Sequence, residues 1–131
     1  MIHDNAEAIR KLEGLCEALG LQHEPQDWGI VNADAGRLSE FMSYYEATEG
    51  LSATEKFELG GLILASANEY LLQGARDIPA AVSVFLVQNR TAFESQLEYW
   101  TNLQDTGEFP LAEWLRHNLL PSIQRTPRDG G

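Results

Sequence analysis

The segment from Ser52 to Gln73 constrains this chain more than any other. Ser52-Ala53-Thr54-Glu55 is a capping box, in which each side chain can satisfy an orphan backbone N–H at the start of a helix. The apolar residues beyond it fall on two helical faces, Phe57, Leu64 and Leu71 on one and Leu59, Leu62 and Ile63 on the other. A helix apolar on two faces has to be enclosed by others. Gly60 and Gly61 interrupt it, each at a cost of up to about 1 kcal/mol relative to Ala, so something must offset them. With Ala65 four residues after Gly61, the small face predicts a close helix crossing, a kink being the alternative. Gly74 is the expected stop. The fold class that follows is all-α: a single-domain bundle of about five helices, with the helix near 53–73 central and buried.

The rest of the chain supplies the partners. A first helix is expected from about Asn5 to Leu19, capped by Asp4 or Asn5, with Ile9, Leu12, Cys16 and Leu19 as its buried stripe and Gly20 as its end. Residues 21–33 lack a period and contain Pro25 and Gly29, which predicts a loop anchored by Trp28 and Ile30. Asp34 is the candidate cap of a second helix, whose Leu38, Phe41, Met42 and Tyr45 keep one face until Gly50. From Asp77 and Pro79, Val82, Phe85, Leu86, Asn89, Phe93, Leu97, Trp100 and Leu103 hold nearly one face over more than twenty residues. One long helix over 79–103 is favoured. The β-branched content of Val82 to Val87 leaves a short strand as the alternative there, and at Asn89 to Thr91 a second capping box of Thr91 and Glu94 could kink the helix or break it in two. Pro110 opens a last helix that packs Leu111, Trp114, Leu115 and Leu119 and stops at Pro121. The domain is thus expected to span 1–121, followed by a disordered polar tail over 122–131.

A chain of 131 residues suits one core, and its three Trp, four Tyr and five Phe argue for a packed globule. The charge balance narrows the partners. Twenty Asp and Glu against nine Lys and Arg give a formal charge of −11, which disfavours nucleic acid and anionic lipid and favours either simple solubility or a basic partner. No signal peptide is expected at the N-terminus, and Leu59–Leu72 is too short and too polar to span a bilayer, so the expected compartment is the cytoplasm.

The residues do not assemble a reaction centre, and the expectation is no catalytic residue, no metal and no cofactor. His3, His23 and His117 do not pair at metal-binding helical spacing, and there is no Glu-x-x-His pair. Glu113 and His117 share a helix face as an ordinary surface pair would. Cys16, the only cysteine, lies on an apolar stripe, where a thiol is a small core residue. Gly60-Gly61 has no following Lys-Ser/Thr, so no phosphate loop is visible.

Recognition is the better-supported alternative to chemistry. Between Thr91 and Glu113 there are five acids and no Lys or Arg. With Phe93, Leu97 and Trp100 turned inward, Glu94 and Glu98 stand four apart on the exposed side, a spacing that disfavours an isolated helix by a few tenths of a kcal/mol. The expected docking surface is Glu94, Glu98 and Tyr99, continued by Asp105 and Glu108, with a basic protein surface as the partner. A second surface, Tyr44, Glu46 and Glu49, lies in the acidic cluster around Gly50.

Asp27-Trp28-Gly29-Ile30-Val31-Asn32-Ala33-Asp34, Phe41 with Tyr44-Tyr45-Glu46, Glu55-Lys56-Phe57-Glu58-Leu59, Ile63-Leu64-Ala65-Ser66, Glu98-Tyr99-Trp100 and Phe109-Pro110-Leu111 resemble a group of small acidic bacterial proteins similar to immunity proteins encoded beside secreted or contact-delivered toxins. The resemblance covers roughly residues 27–116 and implies a stoichiometric inhibitor of a toxin domain, without implying which residues bind. The rivals are an adaptor or regulatory module that binds without inhibiting, and a small helical enzyme whose site the sequence does not show.

Overall fold

In the computed structural model of the protein, residues 2–22, 28–104 and 107–119 are described, apart from the side chains of 2–9. All regular structure among them is helical, as the capping and periodicity signals require. The helices are α1 (Ile2–Leu19), α2 (Trp28–Val31), α3 (Leu38–Ala47), α4 (Ala53–Leu72), α5 (Ala80–Gln88), α6 (Glu94–Thr101) and α7 (Pro110–Trp114), the last running on into a π-helical turn over Leu115–Leu119. The chain divides into two compact units, Met1–Ser66 and Ala67–Gly131, with the division falling inside α4.

In the first unit the local signals act as expected. Ser52 N donates to Glu55 Oε1 at 2.9 Å and Glu55 N to Ser52 Oγ at 3.1 Å, closing the capping box that starts α4. Gly20 and Gly50 have left-handed φ of 67° and 82° after α1 and α3, which a residue with a Cβ adopts only under strain. Leu12, Cys16 and Leu19 of the α1 stripe are buried and Leu15 joins them, while α1 begins at Ile2, ahead of the expected Asn5. The side chains of Asp4, Asn5 and Ile9 lie outside the described residues.

The segment read as a loop after α1 contains α2. Its Trp28 is the anchor, 2% exposed, whereas Ile30 faces outward at 51% and is not one. The physical reason is that a single helical turn presents one side to the core. Asn32 fixes that turn, donating to Trp28 O and Gln22 O and accepting from Gln22 N, all within 3.0 Å. The helical turn also brings Gly29 against α4. A Cβ at Gly29 would stand 3.1 Å from both Gly61 C and Leu62 N, so the close crossing predicted from Gly60-Gly61 exists, with Gly29 as the residue that approaches.

Asp34 caps, but what it caps is a short 3-10 turn over Ala35–Arg37, through Gly36 N at 2.9 Å, and α3 follows from Leu38. In α4 the residues Leu59, Leu62, Ile63 and Leu64 are fully buried, yet Phe57 is 49% exposed, against expectation. It lies in the first turns of the helix, before the stretch that the core encloses.

In the second unit the expected long helix over 79–103 is two helices. Asn89 breaks it, its Nδ2 donating to Phe85 O at 2.8 Å, the acceptor that its own backbone N–H also uses at 3.0 Å. Thr91 and Glu94 do not form a capping box, since Phe93 is the N-cap of α6 and no side chain caps it. The inward face survives the break: Phe85 and Phe93 meet edge to face, ring centroids 5.5 Å apart. Leu111, Leu115 and Leu119 of the last helix are buried with Val82, Leu86, Leu97 and Trp100, while Trp114 is only half-buried. Pro121 and the tail over 122–131 lie outside the described residues. No helix among the described residues is long and apolar enough to cross a membrane.

Candidate functional site

The outer face of α6 carries the three leading candidates. Phe93, Leu97 and Trp100, at i, i+4 and i+7, are buried and orient the helix. Glu94, Glu98 and Tyr99 are consequently exposed, Tyr99 at 59%. Among the described residues neither the Glu94 nor the Glu98 carboxylate takes part in a hydrogen bond or ion pair.

The break at Asn89 changes what these two acids mean. In a single long helix both would sit in mid-helix, whereas in α6 Glu94 occupies the first turn, where the positive end of the helix dipole favours an acid. Glu98 stands in the last turn, where the dipole disfavours it. The end of α6 is also rich in carbonyl acceptors: Asn102 Nδ2 and Thr101 Oγ1 both donate to Glu98 O, and Arg116 Nη1 donates to Thr101 O and Leu103 O at 2.8 and 3.0 Å. The guanidinium placed there serves backbone carbonyls and forms no ion pair with Glu98.

Glu108 belongs to the turn before α7, and it is exposed. Asn68 of α4 fixes that turn, donating to Glu108 O at 3.1 Å and accepting from Leu111 N at 3.0 Å. The turn adjoins α6 through Trp100 and Phe109, whose rings meet edge to face at 5.7 Å. Asp105 lies outside the described residues.

The second surface divides. Glu46 and Glu49 are exposed and Tyr44 is half-buried. Of the acids around them, Glu40 is held bidentate by Arg37 at 2.9 and 2.7 Å, and that hydrogen bonding lowers its carboxyl pKa. Glu55 is engaged in the capping box. Glu58 is half-buried, and desolvation raises its pKa.

Of the candidates for chemistry, Cys16 and His117 lie among the described residues. Cys16 is buried, its Sγ accepting from Trp28 Nε1 at 3.1 Å and donating to Gln22 O at 3.3 Å. His117 Nε2 is 3.8 Å from Glu113 Oε2, with both side chains well exposed. Among the described residues no three His, Cys, Asp or Glu gather to hold a metal ion. His3 and His23 fall on side chains outside the described residues.

Sequence reasoning did not find Asn68, Arg116 or the Trp114–Asp77 bond, in which Trp114 Nε1 donates to Asp77 Oδ1 at 2.5 Å. Their partners are 13 to 43 residues away along the chain, and no local pattern announces them. Comparison with family models, curated proteins and solved structures returns no match to this chain.

Proposed function

We propose that the protein is a stoichiometric protein-binding inhibitor that neutralises a toxin domain with a basic surface, docking through the outer face of α6. The observation that carries this reading is Glu98, an acid in the last turn of a helix, exposed, without an ion pair among the described residues, and beside a Tyr that is 59% exposed. Such an arrangement does little for the helix, while an acid speeds encounter with a basic surface and an adjacent aromatic supplies contact area. Glu94 and Glu108 extend the surface, and Tyr44, Glu46 and Glu49 form a second one. The toxin class rests on the sequence resemblance to immunity proteins and on the net charge of −11.

The test is co-expression with the product of the adjacent gene, scored for rescue of growth and for a 1:1 complex by light scattering. Rescue with complex formation is the expected result, and a complex without rescue would make the protein a non-inhibitory adaptor. Glu98→Lys with Tyr99→Ala should slow association and flatten its dependence on salt while the helical spectrum stays intact. Unchanged binding by that variant would remove α6 as the docking face.

A further inference from the structure

The end of α4 and the last helix form a recess of about 310 Å³, and its walls are chemically mixed. Leu71, Pro110 and Trp114 supply apolar surface, and Arg76, Glu113 and His117 supply charge. The volume lies at the lower end of the range for small-molecule sites.

Three features give the recess a direction. The Trp114 indole is pinned, since its N–H is committed to Asp77 Oδ1, which also accepts from Ile78 N at 2.8 Å. Two N–H donors on one oxygen offset the Asp77 charge locally, and Glu113 faces His117 at 3.8 Å. Arg76 is exposed, and among the described residues its guanidinium makes no hydrogen bond or ion pair, so its donors are available to a ligand. In addition, His117 belongs to the π-helical turn over Leu115–Leu119. Such turns are rare and recur at functional sites, because the extra residue per turn re-aims side chains that an α-helix would place elsewhere.

We infer that this recess binds a small aromatic carboxylate, with the carboxylate on Arg76 and the ring against Trp114. A guanidinium engages a carboxylate through two parallel N–H···O bonds, and the fixed indole offers a flat apolar partner for an aromatic ring. An uncharged aromatic lacks the first contact. A second carboxylate on the ligand would meet Glu113, so the site favours a monoanion.

The probe is 1-naphthoate, titrated into the full ¹⁵N-labelled protein while the indole N–H signals of its three tryptophans are followed. The Trp114 signal should shift saturably and those of Trp28 and Trp100 should not. The uncharged isostere 1-naphthamide, and 1-naphthoate with the Arg76→Gln variant, should each bind at least about tenfold more weakly. Arg76 is exposed, so unmoved Trp28 and Trp100 signals in the variant establish that its fold is intact. Absence of a saturable Trp114 shift up to roughly 10 mM, or equal binding of naphthamide, or equal binding by Arg76→Gln, overturns the inference.

Discussion

Replacing Gly29 by Ala tests the crossing on which the first unit is built. The added Cβ would meet Gly61 C and Leu62 N at 3.1 Å and Gly61 O at 3.3 Å. Ordinary carbon contacts begin near 3.5 Å, so α2 and α4 would have to separate by a few tenths of an ångström. The obstructing atoms are backbone, which cannot rotate aside as a side chain would. Overpacking of this kind costs about 1–3 kcal/mol, and the better helix propensity of Ala returns up to about 1 kcal/mol. The balance is a loss of about 1–2 kcal/mol, or roughly 3–8 °C in Tm for a chain of this size. Gly14→Ala is the matched control, because Gly14 is also helical but has nothing within 4 Å of its would-be Cβ. It should raise Tm by a few degrees at most. Thermal melts followed by far-UV circular dichroism read both. If Gly29→Ala proves as harmless as Gly14→Ala, the close approach of the two backbones is wrong.

Two further perturbations address single interactions. The bond from Trp28 Nε1 to Cys16 Sγ predicts that Cys16→Ala costs about 1 kcal/mol more in the native background than in Trp28→Phe, because only the indole leaves a buried N–H without an acceptor. Equal costs in a double-mutant cycle by urea denaturation would deny the bond. Burial raises the Glu58 pKa above its unfolded value, so whatever stability the protonated group contributes is present below that unfolded value and lost as pH rises through the folded one. Glu58→Gln should therefore raise Tm at pH 7, with the gain vanishing toward pH ~4. A gain independent of pH would show that the charge is not the cause.

What the sequence revealed depended on how far apart the interacting residues lie. The Ser52–Glu55 capping box and the glycine stops could be read because each is settled within a few residues. The break between α5 and α6 was obscured by its own geometry. The turn keeps a Phe93 N to Asn89 O bond of 2.9 Å, so Phe85, Phe93, Leu97 and Trp100 stay on one side and the period scarcely slips. Gly60-Gly61 showed that a neighbour must approach, but the neighbour is Gly29, thirty-two residues earlier, in a segment without periodicity. Ile30 misled because an apolar residue beside a Trp anchor looks like part of the anchor, and only the helical turn of α2 puts them on opposite sides. For the candidate site, exposure of Glu94, Glu98 and Tyr99 followed directly from the inward spacing of Phe93, Leu97 and Trp100. The distinction between the two acids did not, because it depends on where α6 begins.

The positions of three arginines bear on the unpaired acids of α6. Arg37 Nη2 donates to Leu19 O at 2.6 Å, Arg90 Nη1 to Val87 O at 3.3 Å, and Arg116 Nη1 to Thr101 O and Leu103 O. These carbonyls lie at the C-terminal ends of α1, α5 and α6, where backbone acceptors lack partners and the dipole is negative. Each arginine therefore stabilises a helix end, and only Arg37 also pairs with an acid there, Glu40, while lying 5.0 Å over the Phe41 ring. A short-helix fold has many such ends, and with nine Lys and Arg in the chain the demand for C-terminal cations competes with the demand of twenty acids for partners. An arginine bound to fixed carbonyls loses less to screening than one paired with a solvated carboxylate. Glu94 and Glu98, exposed on α6 and without an ion pair among the described residues, are what this division leaves over.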